Sequence, residues 1–168
     1  MGASRDDAYV EYVTARLPAL HRAAFLLCGG DAHRADDVVQ ETITRLYQRW
    51  RQASRAENLD AYVHRMLVHV FVDEKRLRWA RVKLLPWVGD ATAEATPGAP
   101  LEERSQLVAA LRQLPARQRA AIVMRFLLDR SIEEVAEALG CSTGTVKSQT
   151  SRGLTALRHL IPAPSDIR

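Results

Sequence analysis

The chain has 168 residues, 47% of them apolar and 26% charged, with a formal charge of +4. That is enough for one domain or two small ones with a packed core, and it excludes wholesale disorder. Two cysteines outside any C-x-x-C pair, five scattered histidines, an acid-bearing N-terminus and no apolar run of spanning length exclude a disulfide framework, a zinc finger, a signal peptide and a membrane helix.

Aromatics are only 6% of the chain while Ala, Leu and Arg abound, which favours helices over sheet. Ser4 followed by Asp7 predicts a capped helix start, with Tyr9, Val13, Leu17, Leu20, Ala24 and Leu27 at helical spacing. Pro18 is expected to kink this helix or to begin a new one, and Gly29-Gly30 to end it. Asp31 caps the next, whose apolar stripe is Ala35, Val39, Thr42, Ile43, Leu46 and Trp50 and whose other face carries Asp37, Gln40 and Glu41. The stretch RQASRAEN is expected as a loop. Asn58 caps a third helix with Leu59, Tyr62, Val63, Met66, Leu67 and Val70 inward. It runs into KRLRWARVK, nine residues with five cations, one Trp and no acid.

From Leu84 to Pro100 the composition changes to Pro, Gly and small residues without a sustained period, the pattern of a linker. Beyond it, Leu107, Leu111 and Leu114 mark a helix stopped by Pro115, RQRAAIVMRFLLD gives a second, and SIEEVAEALG a third. In that third helix Ser131 and Glu134 form a capping box and Gly140 makes the stop. A fourth, TGTVKSQTSRGLTALRHL, follows across a tight turn at Gly140-Cys141-Ser142. Ala136 permits close approach, Gly140 makes the turn and Val146 anchors the second helix, which is a helix-turn-helix.

The inward face of that last helix is Val146, Thr150, Leu154 and Leu157. Its outward face carries Thr145, Lys147, Ser148, Ser151, Arg152 and Thr155, and no carboxylate occurs from Ala138 to Ser165. A solvated helix face mixes both signs of charge, whereas hydroxyls and cations without acids suit phosphates and base edges. The motif by itself equally serves a stand-alone regulator that binds operators as a dimer. No phosphate-binding glycine loop, zinc-binding helix or nucleophile motif points to an enzyme.

The N-terminal half narrows the choice. DAHRADDVVQETITRLYQRW resembles the conserved second region of bacterial sigma factors, LDAYVHRMLVHVFVDEKRLR their promoter-melting helix, and LRQLPARQRAAIVMRFLLDRSIEEVAEALGCSTGTVKSQTSRGLTALR their fourth region. Together these cover most of the chain in the family's order. The short form, without the middle domain, looks like an extracytoplasmic-function (group IV) sigma factor of the sigma-70 family. The resemblance implies an all-α fold of two small helical domains: region 2 over 1–83, a flexible linker over 84–100, and region 4 over 101–168. The unpatterned linker predicts that no apolar interface is forced between them.

It further implies that Asp37, Gln40, Glu41 and Arg45 bind the clamp helices of the polymerase β′ subunit, and that the fourth region meets the β flap. His69, Lys75, Arg76, Arg78, Trp79 and Arg81 would hold the melted −10 element. His69 stands where the family usually has Asn; stacking, hydrogen-bonding and purely structural roles are all open to it. Thr145, Lys147, Ser148, Ser151 and Arg152 would read the −35 element, with Gln149 where the family often has Arg. An anti-sigma partner is expected, and no cofactor, metal or membrane insertion. The end at Arg168 is expected to leave no room for a built-in regulatory domain, and the protein is expected in the cytoplasm.

Overall fold

The computed structural model describes residues 4–82 and 101–162, the side chains of 75–82 and 101–104 excepted. The expected linker lies outside the described residues. Eight α-helices follow one another, with no strand among the described residues: α1 (Arg5–Leu27), α2 (Ala32–Gln48), α3 (Trp50–Ala53), α4 (Leu59–Val82), α5 (Leu101–Gln113), α6 (Ala116–Ile122), α7 (Ile132–Leu139) and α8 (Thr143–Leu160). The first four form one helical lobe and the last four the other.

The starts are set by local chemistry. Ser4 and Asp7 exchange backbone bonds in a capping box, Asp31 accepts from the Arg34 N–H at 3.1 Å, and Asn58 accepts from the Ala61 N–H at 2.9 Å. Each satisfies a donor that a helix start leaves orphaned, worth about 1 kcal/mol. Contrary to the expectation of a restart, α1 runs through Pro18 as a single helix. Pro18 and Thr14, whose carbonyl loses its donor, are both exposed, so water can satisfy the freed oxygen. The predicted RQASRAEN loop is shorter than expected, because Trp50 and Ala53 bury themselves on the one-turn α3.

In the first lobe, Leu20, Leu27, Leu46, Leu67 and Phe71 are almost wholly excluded from water. Each buried side chain of this size contributes about 1.5–3 kcal/mol. Tyr9 stacks edge-on against both Tyr47 and Trp50, and its hydroxyl donates to the Ile43 carbonyl at 2.7 Å. At the start of α4, Asp60 accepts from the Tyr12 hydroxyl at 2.7 Å and from Arg16 at 3.0 Å. Burial alone would raise this carboxyl, but the two donors outweigh it and hold it below the usual range.

The second lobe differs in two places from a plain run of helices. The helix predicted over RQRAAIVMRFLLD divides: α6 passes at Val123–Leu127 into a π-helical turn, in which the Leu128 N–H reaches back to the Val123 carbonyl at 3.1 Å. Arg125 and Arg130 side chains take up nearby carbonyls, those of Arg130 and Leu128. In α8, Gly153 is the crossing point with α6. A β-carbon there would lie 2.4 Å from Ile122 Cδ1.

The expectation of no apolar interface between the lobes is overturned. One continuous buried cluster runs from Leu20, Val63 and Phe71 of the first lobe to Ala120, Met124, Val135 and Leu139 of the second. Helix α7 packs on α4, and α1 packs on α6 and the π-turn. At the end of α1, Gly29 and Gly30 have φ of +64° and +87°, and a β-carbon on Gly30 would meet Val108 Cγ1 of α5 at 2.5 Å. The apolar faces of α4 and α7 are each wide enough to serve their own lobe and this seam, which the stripe of either helix taken alone does not reveal.

Candidate nucleic-acid and polymerase interfaces

The helix-turn-helix is built from two matched helix ends. Gly140 ends α7 in the left-handed region at φ +62°. Its N–H bonds to the Glu137 carbonyl at 3.4 Å, and that of Cys141 to the Ala136 carbonyl at 3.0 Å. This pair of bonds is a Schellman stop, which glycine adopts without strain. Arg117 on α6 donates to the Leu139 carbonyl at 2.9 Å, so a helix outside the motif also holds the turn. Ser142 then caps α8 by accepting from the Thr145 N–H at 3.1 Å. Val146 is fully buried and fixes the rotation of α8.

That rotation sets the outer face. Lys147, Ser148, Ser151 and Arg152 are all exposed, and neither Lys147 nor Arg152 has an acidic partner among the described residues. Thr145 stands apart from them: it is half-buried and its hydroxyl lies 2.9 Å from that of Ser142, inside the cap. Ser148 spends its hydroxyl proton on the Thr145 carbonyl at 3.0 Å, leaving its lone pairs outward.

On α2, Asp37, Gln40 and Glu41 are exposed together, opposite buried Val38, Val39 and Thr42. Arg45 bonds Glu41 at 2.6 Å and reaches Asp73 of α4 at 3.4 Å. These contacts raise its guanidinium pKa, first through the Glu41 bond. Arg45 therefore bridges the acidic face of α2 to the side of α4.

That side of α4 forms a cleft of about 350 Å³ lined by Arg45, Arg49, Tyr62, Arg65, Met66 and His69, with Glu137 entering from α7. His69 is exposed and faces this cleft, so the structure joins it to five residues outside the predicted set: Arg49, Tyr62, Arg65, Met66 and Glu137. The signal for Tyr62, Arg65 and Met66 was their helical spacing with His69, steps of three and four along one face, whereas Arg49 and Glu137 are brought to the cleft by packing alone. Lys75, Arg76, Arg78, Trp79 and Arg81 lie on the α4 backbone with side chains outside the described residues.

Two further titratable groups lie at the seam. His64 has a buried, unbonded Nδ1, and burial, aided by Arg130 and Arg16, pushes its pKa down to about 4 against the pull of Asp60 and Glu134. Arg119 is buried with its guanidinium carbon 6.0 Å from the Phe71 ring centre, and it donates to the carbonyls of Leu111 at 3.2 Å and Arg112 at 3.3 Å. Desolvation lowers its pKa. Cys28 is buried and its thiol is pushed up to about 12 by burial, which makes it inert; Cys141 is half-buried and free. No helix among the described residues is long and apolar enough to cross a membrane.

Comparison with known proteins places both lobes. Residues 12–81 match the family model for sigma-70 region 2, and residues 104–157 that for sigma-70 region 4. The chain is 33% identical to an RNA polymerase sigma-E factor of Streptomyces coelicolor, over 92% of this chain and 86% of that protein. It is 31% identical to the ECF RNA polymerase sigma factor EcfG of Rhodopseudomonas palustris, with the same two coverages, 92% and 86%. Among solved structures it resembles the sigma factor RpoE of Bartonella quintana, crystallised with the anti-sigma factor NepR. The TM-score is 0.77 at 26% identity, covering 91% of this chain and 96% of that one.

Proposed function

Because the chain belongs to the sigma-70 family of RNA polymerase sigma factors, in its extracytoplasmic-function group, we propose that it joins core RNA polymerase in the cytoplasm and directs it to promoters by their −35 and −10 elements. The factor performs no reaction of its own; the polymerase does the chemistry. Asp37, Gln40, Glu41 and Arg45 meet the β′ clamp helices, and the second lobe meets the β flap. Lys147, Ser148, Ser151 and Arg152 read the −35 major groove. The cleft beside His69, with the basic end of α4, captures unpaired −10 bases and so offsets an unstacking cost of a few kcal/mol without fuel. An anti-sigma partner is proposed as well, by likeness to the Bartonella factor.

The observation that carries this reading is the exposed, acid-free face of α8 in a lobe that matches region 4, on the same chain as a lobe that matches region 2. A stand-alone regulator needs the first and has no use for the second. The test is capture of core polymerase by the purified chain, followed by open-complex formation on promoter DNA. Tight binding to a duplex operator as a dimer, with no capture of core enzyme, would establish the regulator instead.

A further inference from the structure

The outer face of α8 does not end at Arg152. Each residue of an α-helix turns by about 100°, so residues eleven apart, three turns on, point within about 20° of the same direction. Arg158 stands eleven residues after Lys147, and His159 eleven after Ser148. Thr155 falls between the two lines. All five are exposed, while Val146, Gly153 and Leu157 on the opposite side are buried. One exposed strip therefore runs along the helix from Lys147 to His159. It contains no carboxylate. Neither the Arg158 nor the His159 side chain has a hydrogen bond or an ion pair among the described residues.

We infer that Arg158, assisted by His159, is a second DNA contact of α8, a clamp on backbone phosphate beyond the bases met from Lys147 to Arg152. The inference rests on the proposed −35 function and adds a site to it. The length of the helix carries the argument. The 18 residues of α8, uninterrupted by proline, span about 27 Å, and the proposed base readers all lie in the N-terminal ten of them. A helix-turn-helix places the N-terminal part of its second helix on base edges. The major groove is about 12 Å wide and winds around the duplex, whereas α8 is straight. Arg158 lies about 16 Å along the axis from Lys147. With the Lys147 end at the groove floor, the Arg158 end has left it and stands level with the phosphates of the rim. The ligand there is an anionic oxygen that carries no base identity. A guanidinium on a long stem meets it as a charge, and the imidazole N–H beside it supplies a further donor.

A cation in a last helical turn also complements the partial negative charge of the terminal carbonyls. That role contributes to the stability of α8 and leaves the salt dependence of DNA binding untouched, so the two separate by experiment. The alignment of Arg158 with Lys147 and of His159 with Ser148, continuous with the reading face, is what points to DNA.

The test uses holoenzyme assembled with each variant and titrated onto promoter DNA between about 50 and 200 mM salt. Arg158→Gln should weaken every promoter alike, −35 variants included. It should also lower the slope of log affinity against log salt by about one unit, so that the wild-type advantage shrinks about three- to fourfold over that range. Arg158→Lys should restore the slope, because a phosphate needs the charge and not the fork. His159→Ala should deepen the loss of Arg158→Gln. Methylphosphonates, each removing one phosphate charge, then locate the contact. They are scanned across the −35 element and about five base pairs to either side, the reach of about 16 Å along the duplex. At one phosphate the replacement should weaken wild type and leave Arg158→Gln unaffected, and Lys147→Ala should still sense that position. An unchanged salt slope for Arg158→Gln, or no phosphate at which its loss is absorbed, overturns the contact. A lower melting temperature with the wild-type slope assigns Arg158 to the end of α8 instead. Either result leaves wild-type capture of core polymerase and its response to −35 sequence intact. Failure of the wild-type chain on those two counts overturns the sigma-factor reading itself, and this inference with it.

Discussion

The outer face of α8 and the cleft beside α4 are both cationic, yet the chain treats them differently. The α8 face is clear of acids because its whole surrounding sequence is: none occurs from Ala138 to Ser165. The α4 cleft has cations from α2, from the residue that follows it and from α4 itself, and it receives an acid 72 residues away in sequence from Arg65. A surface kept clean by composition is available whenever the protein is folded. A surface covered through tertiary packing is available only when the packing yields. The proposed −35 reader is therefore constitutive, and the proposed −10 site conditional.

The largest effect should come from removing what delivers both surfaces to a promoter. Asp37→Lys with Glu41→Lys reverses two exposed charges off the apolar stripe of α2, so the fold should survive. Loss of core-polymerase binding of about 2 kcal/mol, or roughly 30-fold, is expected if this face is a binding hot spot. Both DNA activities should fall together in holoenzyme assays. Glu41 also holds Arg45, so Asp37→Lys alone separates the direct loss from displacement of that arginine. Unchanged core binding at low protein concentration would remove the α2 face from the assignment.

Next comes the open surface itself. Arg152 is exposed and without an acidic partner among the described residues. Its fork suits guanine O6 and N7 together, so Arg152→Ala should cost about 1–3 kcal/mol and relax preference at one promoter position. Open-complex formation on −35 variants measures it. An equal loss on every promoter would make Arg152 a phosphate clamp.

What the sequence disclosed, and what it did not, follows the same division between local and distant causes. Ser4 with Asp7, Asp31, Asn58, Ser131 with Glu134, and Gly140 act on atoms within a few residues of themselves, and each caps or stops the helix predicted from it; Ser142, expected only as part of the turn, also caps α8. Asp37, Gln40 and Glu41 were placed by helical period, and the structure sets them on one exposed face. The seam needed three dimensions. Arg119 shares a stripe with Ala116 and Val123, so a lone cation on an apolar face was its signal, but nothing local says that Phe71 lies beside it. Gly153 falls on the inward stripe between Thr150 and Leu157, a sign of close backbone approach, while the partner, Ile122, is known only from the packing. The helical period puts Thr145 on the outward face, but the cap geometry draws its hydroxyl to Ser142.

A smaller effect should separate the conditional site from the constitutive one through pH. In the closed arrangement His64 is held near 4 by burial, with Arg130 and Arg16 opposing its charge and Asp60 and Glu134 favouring it. In the open chain it should return toward its ordinary value of about 6.5. A depressed histidine is neutral when closed and gains a proton on opening, so closure is fully favoured above about pH 6.5 and weakens as pH falls toward 4. The expected change is about 1 kcal/mol, less than the full shift implies because water still reaches part of the ring. The interlobe distance should lengthen on acidification, and His64→Gln should flatten that response. A wild-type profile identical to that of His64→Gln would remove the histidine from the seam's energetics.

The smallest effect belongs to Lys147, five residues before Arg152 on the same exposed face. An ammonium is a compact charge without a fork, so it holds a phosphate oxygen rather than selecting a base. Lys147→Ala should weaken all promoters alike, and the salt dependence should fall by about one unit, the release of one counterion. Between about 50 and 200 mM salt the gap between this variant and wild type should therefore shrink about threefold. The gap for Arg152→Ala should keep most of its size over the same range, because a base-edge bond displaces no condensed counterion. If the Lys147→Ala deficit persisted at high salt and varied with the base at one −35 position, Lys147 would be a second base reader, and specificity on the open face would then rest on both cations.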